Sequence, residues 1–142
     1  MLLICDTGPI VAAANIRDEY HQESRKLIEE YPGRLIVPSL VVAEVGRLLL
    51  TRISAESEAD FIDDIVAGNF EVEELTKIDW LRTQRLVHQY IDLKLGVVDA
   101  AVVAVAERLR AKEIATVNSR DFRAVIPKHV NAFRMLPLDG FF

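Results

Sequence analysis

Leu2-Leu3-Ile4-Cys5-Asp6-Thr7-Gly8-Pro9 runs four apolar residues without a break into an acid, a hydroxyl and a Gly-Pro pair. A short apolar run closed by turn residues has the form of a buried strand, and proline fits the first turn of a helix. The stretch therefore predicts strand, turn and helix, with the helix extending from about Pro9 to Asn15. Asp6 is left at the end of the strand, where its carboxylate meets the edge of whatever sheet the strand joins.

The same pattern repeats along the chain. A polar helix from about Tyr20 to Tyr31 stops at Pro32-Gly33, and Arg34-Leu35-Ile36-Val37 is a second strand closed by Pro38. Ser39 suits the N-cap of a helix from Leu40 to about Arg52, and Ser54 can cap the next, to about Ala67. Phe70 to Leu75 alternates as a strand does, and Thr76 caps a helix to about Ile91. After a loop, Val97 to about Ala111 forms the most apolar helix, followed by a buried strand, Ile114 to Val117. Asn118-Ser119-Arg120-Asp121 reads as a polar turn, and a last short strand falls near Phe133 to Leu136. Strands alternating with helices predict an α/β fold with a mainly parallel sheet covered on both faces. Ligands of such folds bind outside the carboxyl ends of the strands.

A chain of 142 residues is expected to form one domain, residues 1–142, and 51% hydrophobic with 27% charged residues is the composition of a packed, soluble protein. The single cysteine, Cys5, allows neither an intrachain disulfide nor a cysteine-built zinc site, which fits a reducing cytoplasm. The apolar N-terminus lacks a basic start and is cut short by Asp6, unlike a signal peptide, and Glu44 and Asp99 interrupt the two longest apolar stretches, so no membrane span is expected. The net charge of −5 argues against a strongly basic nucleic-acid binder, yet the charge is unevenly spread. Ile53 to Thr76 holds eight acids and no base, whereas Glu107 to Arg134 holds seven bases against three acids, which allows one basic side.

Three acids stand where core is expected. Asp6 ends the first strand; it could instead cap the following helix. Glu44 sits inside Leu40-Val41-Val42-Ala43-Glu44-Val45, costly unless it pairs, reaches water or meets Arg47 three residues on. Asp99 opens the most apolar helix, where the positive helix end is a sufficient structural partner. All three fall near strand ends or helix starts, which converge on one edge of a parallel sheet. Carboxylates brought together repel one another, so such a cluster implies a cation, and oxygen-only ligands point to Mg²⁺ or Mn²⁺.

In chain order these residues make a pattern: Asp6-Thr7 after the first strand, Glu44 in Pro-Ser-Leu-Val-Val-Ala-Glu-Val, Asp99 in Asp-Leu-Lys-Leu-Gly-Val-Val-Asp-Ala-Ala, and Thr-Val-Asn-Ser-Arg-Asp-Phe from Thr116. The chain resembles the PIN-domain ribonuclease toxins of the VapC type over essentially its whole length. The resemblance implies a PIN-like α/β/α sandwich, a homodimer, Mg²⁺- or Mn²⁺-dependent endoribonuclease activity on structured RNA such as tRNA or rRNA, and a VapB-type antitoxin that blocks the active site. It makes Asp6, Glu44 and Asp99 the metal-binding acids, with Thr7 and Thr116 as polar support. One departure is evident: Asn118 stands where many relatives carry a fourth acid, and the nearest substitute is Asp121. Asn118, closer to the strand end, ranks first as the fourth site residue.

The mechanism so implied is attack by a metal-activated water that displaces the ribose 3′-oxygen and leaves 5′-phosphate and 3′-hydroxyl ends. Arg120, Arg123 and Lys94 are candidates for holding phosphates, while the scattered His21, His88 and His129 read as surface residues. The alternative reading is a non-catalytic module that binds RNA or protein; a phosphotransfer enzyme with Asp6 as nucleophile is disfavoured, because Thr7-Gly8 offers no second acid beside it. Patterns for serine hydrolases, P-loop NTPases and dinucleotide enzymes do not occur.

Overall fold

The computed structural model describes residues 1–141. In chain order the described elements are β1 (Leu2–Cys5), α1 (Thr7–Ala14), α2 (His21–Glu30), β2 (Arg34–Pro38), α3 (Ser39–Arg52), α4 (Ala55–Val66), β3 (Glu71–Glu73), α5 (Lys77–Gln89), α6 (Val97–Leu109), β4 (Glu113–Thr116), α7 (Ser119–Ala124) and β5 (Arg134–Pro137). The five strands form one sheet in the order β3-β2-β1-β4-β5. Every pairing is parallel, so the sheet goes beyond the mainly parallel arrangement expected.

Leu3, Ile4 and Cys5 are each 0% exposed, and successive strand residues point to opposite faces, so helices cover both faces of the sheet in an α/β/α sandwich. α6 explains its own apolar sequence: Ala100 through Ala106 are all buried as it packs against β1, β2, α3 and α5. No described helix is long and apolar enough to cross a membrane.

The helix caps show where local chemistry was decisive. Ser54 accepts the Ser57 amide, and Thr76 forms a full capping box with Asp79, as their positions predict. Ser39 does not act as an N-cap: β2 passes into α3 without a linker, so Pro38 takes the cap position and Ser39 is already helical. α1 starts at Thr7, before Pro9, and β3 is confined to three residues at the sheet edge. The polar stretch after β4 is a short helix instead of a turn, with Asn118 at its N-cap.

α5 and α6 are joined by charge. Arg108 lies 2.9 Å from Asp79 and 2.8 Å from Glu73, and Arg82 lies 2.7 Å from Glu107. Gly8 lets the start of α1 approach the end of β4: a Cβ there would stand 2.5 Å from Val117 Cγ2. That close approach sets Asp6 and Thr7 beside the residues that follow β4.

Candidate active site

The strand order reverses direction beside β1. The chain builds β2 and β3 outward on one side, then returns to place β4 and β5 on the other. The carboxyl ends of β1 and β4 therefore flank a topological switch point, the usual binding crevice of an open parallel sheet. Asp6 follows β1 at this crevice. Its backbone amide donates to the Ala115 carbonyl at 2.9 Å, and the buried Thr116 hydroxyl donates to its Oδ2 at 2.9 Å.

Asp6 occupies the N-cap position of α1 but makes no side-chain capping bond. Asp99 lies in the first turn of α6. Asn118 donates through Nδ2 to Asp99 Oδ2 at 3.1 Å and to Asp121 Oδ2 at 3.0 Å. The fold thus brings β1, α6 and α7 together at one point, each contributing a carboxylate. Glu44, half-buried on α3, stands near enough for its charge to act on both Asp6 and Asp99. It forms no ion pair with Arg47 or any other base among the described residues.

The electrostatics follow from burial and like charge. Burial pushes the Asp6 carboxyl up to about 6, with the charges of Glu44 and Asp121 adding to the rise and the Thr7 amide and Thr116 hydroxyl opposing it. Asp99 is raised further, to about 8, first by burial, then by the charge of Asp6 and by hydrogen bonding with Asp121. No Lys, Arg or His side chain answers Asp6, Glu44, Asp99 or Asp121 among the described residues.

These residues fit a hard divalent cation that keeps part of its water shell. Every available donor is oxygen, and the Thr7 hydroxyl, 6% exposed and next to Asp6, is buried with no hydrogen-bond partner. Among the described residues no three His, Cys, Asp or Glu side chains are grouped so that they could hold a metal ion by themselves. A cation here would have to take much of its shell from water, which is the habit of Mg²⁺.

Comparison with known proteins bears on the family and the fold. The PIN domain model matches residues 3–126. The chain belongs to the PIN-domain family. It is 28% identical to ribonuclease VapC26 of Mycobacterium tuberculosis over 135 residues, 95% of this chain and 100% of that one. In fold it is similar to VapC20 of Mycobacterium tuberculosis, described as a sarcin-ricin loop cleaving toxin, with a TM-score of 0.79 at 17% identity, covering 92% of this chain and 98% of VapC20. It is also similar to a chain of a toxin–antitoxin complex from Klebsiella pneumoniae, with a TM-score of 0.69 at 20% identity, covering 87% of this chain and 92% of that one. The resemblance to the VapC type thus extends along nearly the whole PIN domain.

Two of the expected accessories change character in this PIN domain. The basic side is partly consumed internally: Arg108 serves the α5–α6 seam, Arg123 pairs with Asp139 and Arg134 with Glu113. Arg120 and Lys94 remain exposed without an ion pair among the described residues. Of the histidines, only His88 is fully at the surface; His21 is half-buried with Nδ1 2.9 Å from the Ala12 carbonyl, and His129 binds the Ala111 carbonyl. Both carbonyls belong to the backbone, so these two side chains tie chain segments together.

Sequence reasoning placed Asp121 second to Asn118, and the structure brings both to Asp99. The missed signal was spacing. An Asn followed three residues later by an acid is an N-cap and its N3 residue, which the first helical turn folds back onto the cap. A cavity of about 660 Å³ lies apart from these acids, lined by Ile10, Arg25, Leu35, Asp60 and Phe61 among others.

Proposed function

We propose that this PIN domain is a Mg²⁺- or Mn²⁺-dependent endoribonuclease and the toxin of a toxin–antitoxin pair. The observation that carries the reading is the meeting of Asp6, Asp99 and Asp121 at the β1/β4 switch point, with Glu44 nearby and no base to neutralise them. Asp6, Asp99 and Glu44 would hold the cation, directly or through its waters, with the Thr7 hydroxyl beside them. A bound divalent cation supplies Lewis acidity that activates water and charge that offsets the phosphodiester under attack. Thr116 holds Asp6 in place by donating to its Oδ2, leaving its other oxygen free of that bond. The exposed Arg120 and Lys94 would meet RNA phosphates, contacts that position a substrate without reading its sequence. Cleavage by in-line attack of water leaves 5′-phosphate and 3′-hydroxyl ends.

Structured RNA is the proposed substrate class, supported by the ribonuclease name of VapC26 and the sarcin-ricin loop activity attributed to VapC20. A VapB-type antitoxin in the cytoplasm is the proposed partner, supported by the Klebsiella pneumoniae complex. Ile78, Trp80 and Leu81, exposed on the first two turns of α5, offer apolar surface for a second copy of the chain, which light scattering on the purified protein would test.

The decisive experiment is incubation of purified, antitoxin-free protein with bacterial RNA, with and without Mg²⁺ or Mn²⁺, beside Asp6→Asn and Asp99→Asn. Discrete cuts that need metal and fall by more than about 100-fold in both variants support the reading, since removing a ligand exceeds the usual cost of altering an outer-shell partner. Intact RNA under a folded, metal-supplied protein would favour a binding module.

A further inference from the structure

The basic stretch from Glu107 to Arg134 holds two cations that neither the crevice nor the α5–α6 seam uses. Arg110 and Lys112 stand in the turn between α6 and β4, both exposed and without an ion pair among the described residues. That turn enters β4 at its amino end, whereas the acids gather beyond Thr116, at the carboxyl end. The 4 residues of β4, at about 3.3 Å each, keep both cations away from the proposed cleavage site.

What the two cations border is a second cleft, of about 600 Å³, across the amino ends of β1, β4 and β5. Leu2, Ala111, Val130 and Ala132 give it apolar walls, and Arg134 stands beside Arg110 and Lys112 around them. The acid in the lining, Glu113, is already engaged: Oε1 accepts the Tyr31 hydroxyl at 2.6 Å and Oε2 accepts Arg134 Nη1 at 3.0 Å. Arg134 is engaged with it and donates to the Gly140 carbonyl as well. Two positive charges are therefore left unanswered beside apolar surface. Arg110 also holds its place against the preference of its backbone. With φ 57° and ψ 34° it lies in the left-handed region that ends α6, where glycine is favoured because a Cβ is strained. Ending the helix would be served better by glycine, so the strain points to a use for the guanidinium.

We propose that this cleft binds a small anion with an apolar body, its head held by Arg110 and Lys112 and its body lying against Leu2, Ala111, Val130 and Ala132. The volume lies within the range of small-molecule sites, and apolar walls with a few convergent polar groups are their usual lining. An RNA backbone would answer the two cations but leave the apolar walls without a partner. A neutral apolar molecule would cover the walls and leave the cations without one. Only a ligand that joins the two chemistries matches both. The site shares no residue with the crevice and lies at the opposite edge of the sheet, so it does not depend on the nuclease reading.

Decanoate is the probe, titrated into the full chain by calorimetry, with inorganic phosphate as a head without a body and decanol as a body without a charge. Decanoate should bind one per chain and at least about tenfold more tightly than either control. Arg110→Gly suits the left-handed backbone, so its thermal unfolding midpoint should equal or exceed that of the unaltered protein while decanoate binding weakens at least about fivefold. Ala132→Glu, at an exposed position, should expel decanoate by like charge and leave the midpoint nearly unchanged. Asp99→Asn, at the far edge of the sheet, should bind decanoate as the unaltered protein does. The proposal is overturned if the folded protein takes up no decanoate, if phosphate or decanol binds as well, or if Arg110→Gly and Ala132→Glu bind it undiminished. Displacement of decanoate by an RNA oligonucleotide whose own binding Arg110→Gly weakens equally would hand both cations to nucleic acid and overturn it too.

Discussion

The α5–α6 seam and the β1/β4 crevice both bury carboxylates, and they answer the charge in opposite ways. At the seam Asp79 is 1% exposed, yet it faces Arg108 at 2.9 Å and closes a capping box with Thr76. Glu107 is likewise held by Arg82 through two hydrogen bonds. In the crevice Asp6 is 5% exposed, but its partners and those of Asp99 are a hydroxyl, an amide and other acids. A buried acid paired with arginine holds two helices in register. A buried acid surrounded by acids has its pKa raised by burial and by its neighbours, and on the proposed reading it is answered by a cation from solution. Burial alone therefore does not mark a functional acid; the absence of an answering base does.

Opposite substitutions test that distinction most strongly. Arg108→Ala leaves Asp79 and Glu73 unanswered and should cost about 2 kcal/mol in urea unfolding, less than a fully buried pair because a quarter of the Arg108 side chain meets solvent. Asp99→Asn replaces a group that must hold a proton or carry an unanswered charge in the folded state, and should raise the stability of metal-free protein at pH 8 by about 1 kcal/mol while abolishing cleavage. If both variants lose stability alike, the crevice acids are structural and the contrast fails.

Most of this division was legible in the sequence. The apolar run Leu2–Cys5 ending at Asp6 fixed the central strand, and the acids Asp6, Glu44 and Asp99 stood out because apolar neighbours surround them. Asp79 did not stand out, because on a polar helix it looks like any solvated acid; only the packing of α5 against α6 buries it. Asp121 was underrated for a related reason. A six-residue helix leaves too little periodicity to be told from a turn, and the cap geometry that returns Asp121 to Asn118 exists only once that helix forms. The internal pairing of Arg108, Arg123 and Arg134 was equally hidden, since their acidic partners lie far away along the chain or on another element.

The crevice should also give the protein a pH signature. Asp6 rises to about 6 and Asp99 to about 8 from an ordinary value of 3.8, so between pH 4 and 8 the folded state holds protons that the unfolded chain has released. Stability of metal-free protein then falls as pH rises through that window, the sign expected when the native state binds more protons. Urea midpoints measured in chelator at the two ends of the window should show the loss, Asp99→Asn should flatten it, and added Mn²⁺ should offset it by favouring the charged carboxylates. A pH dependence that survives intact in Asp99→Asn would place its source elsewhere.

The smallest expected effect extends the same contrast to the surface. Arg120 and Arg123 both lie on α7 and both are exposed, but Arg123 is 3.0 Å from Asp139 while Arg120 has no ion pair among the described residues. Arg120→Ala should raise KM for RNA about fivefold at unchanged kcat and reduce the salt dependence of binding by about one counterion, whereas Arg123→Ala should alter KM by less than about twofold and stability by less than about 0.5 kcal/mol. A phosphate can recruit a cation only by outcompeting what that cation already touches, and Asp139 is a permanent competitor held in place by the Met135 amide at 2.8 Å. Equal KM changes in the two variants would show that an exposed internal partner does not withhold an arginine from RNA, confining the rule drawn from seam and crevice to the buried interior, where solvent cannot screen the pair.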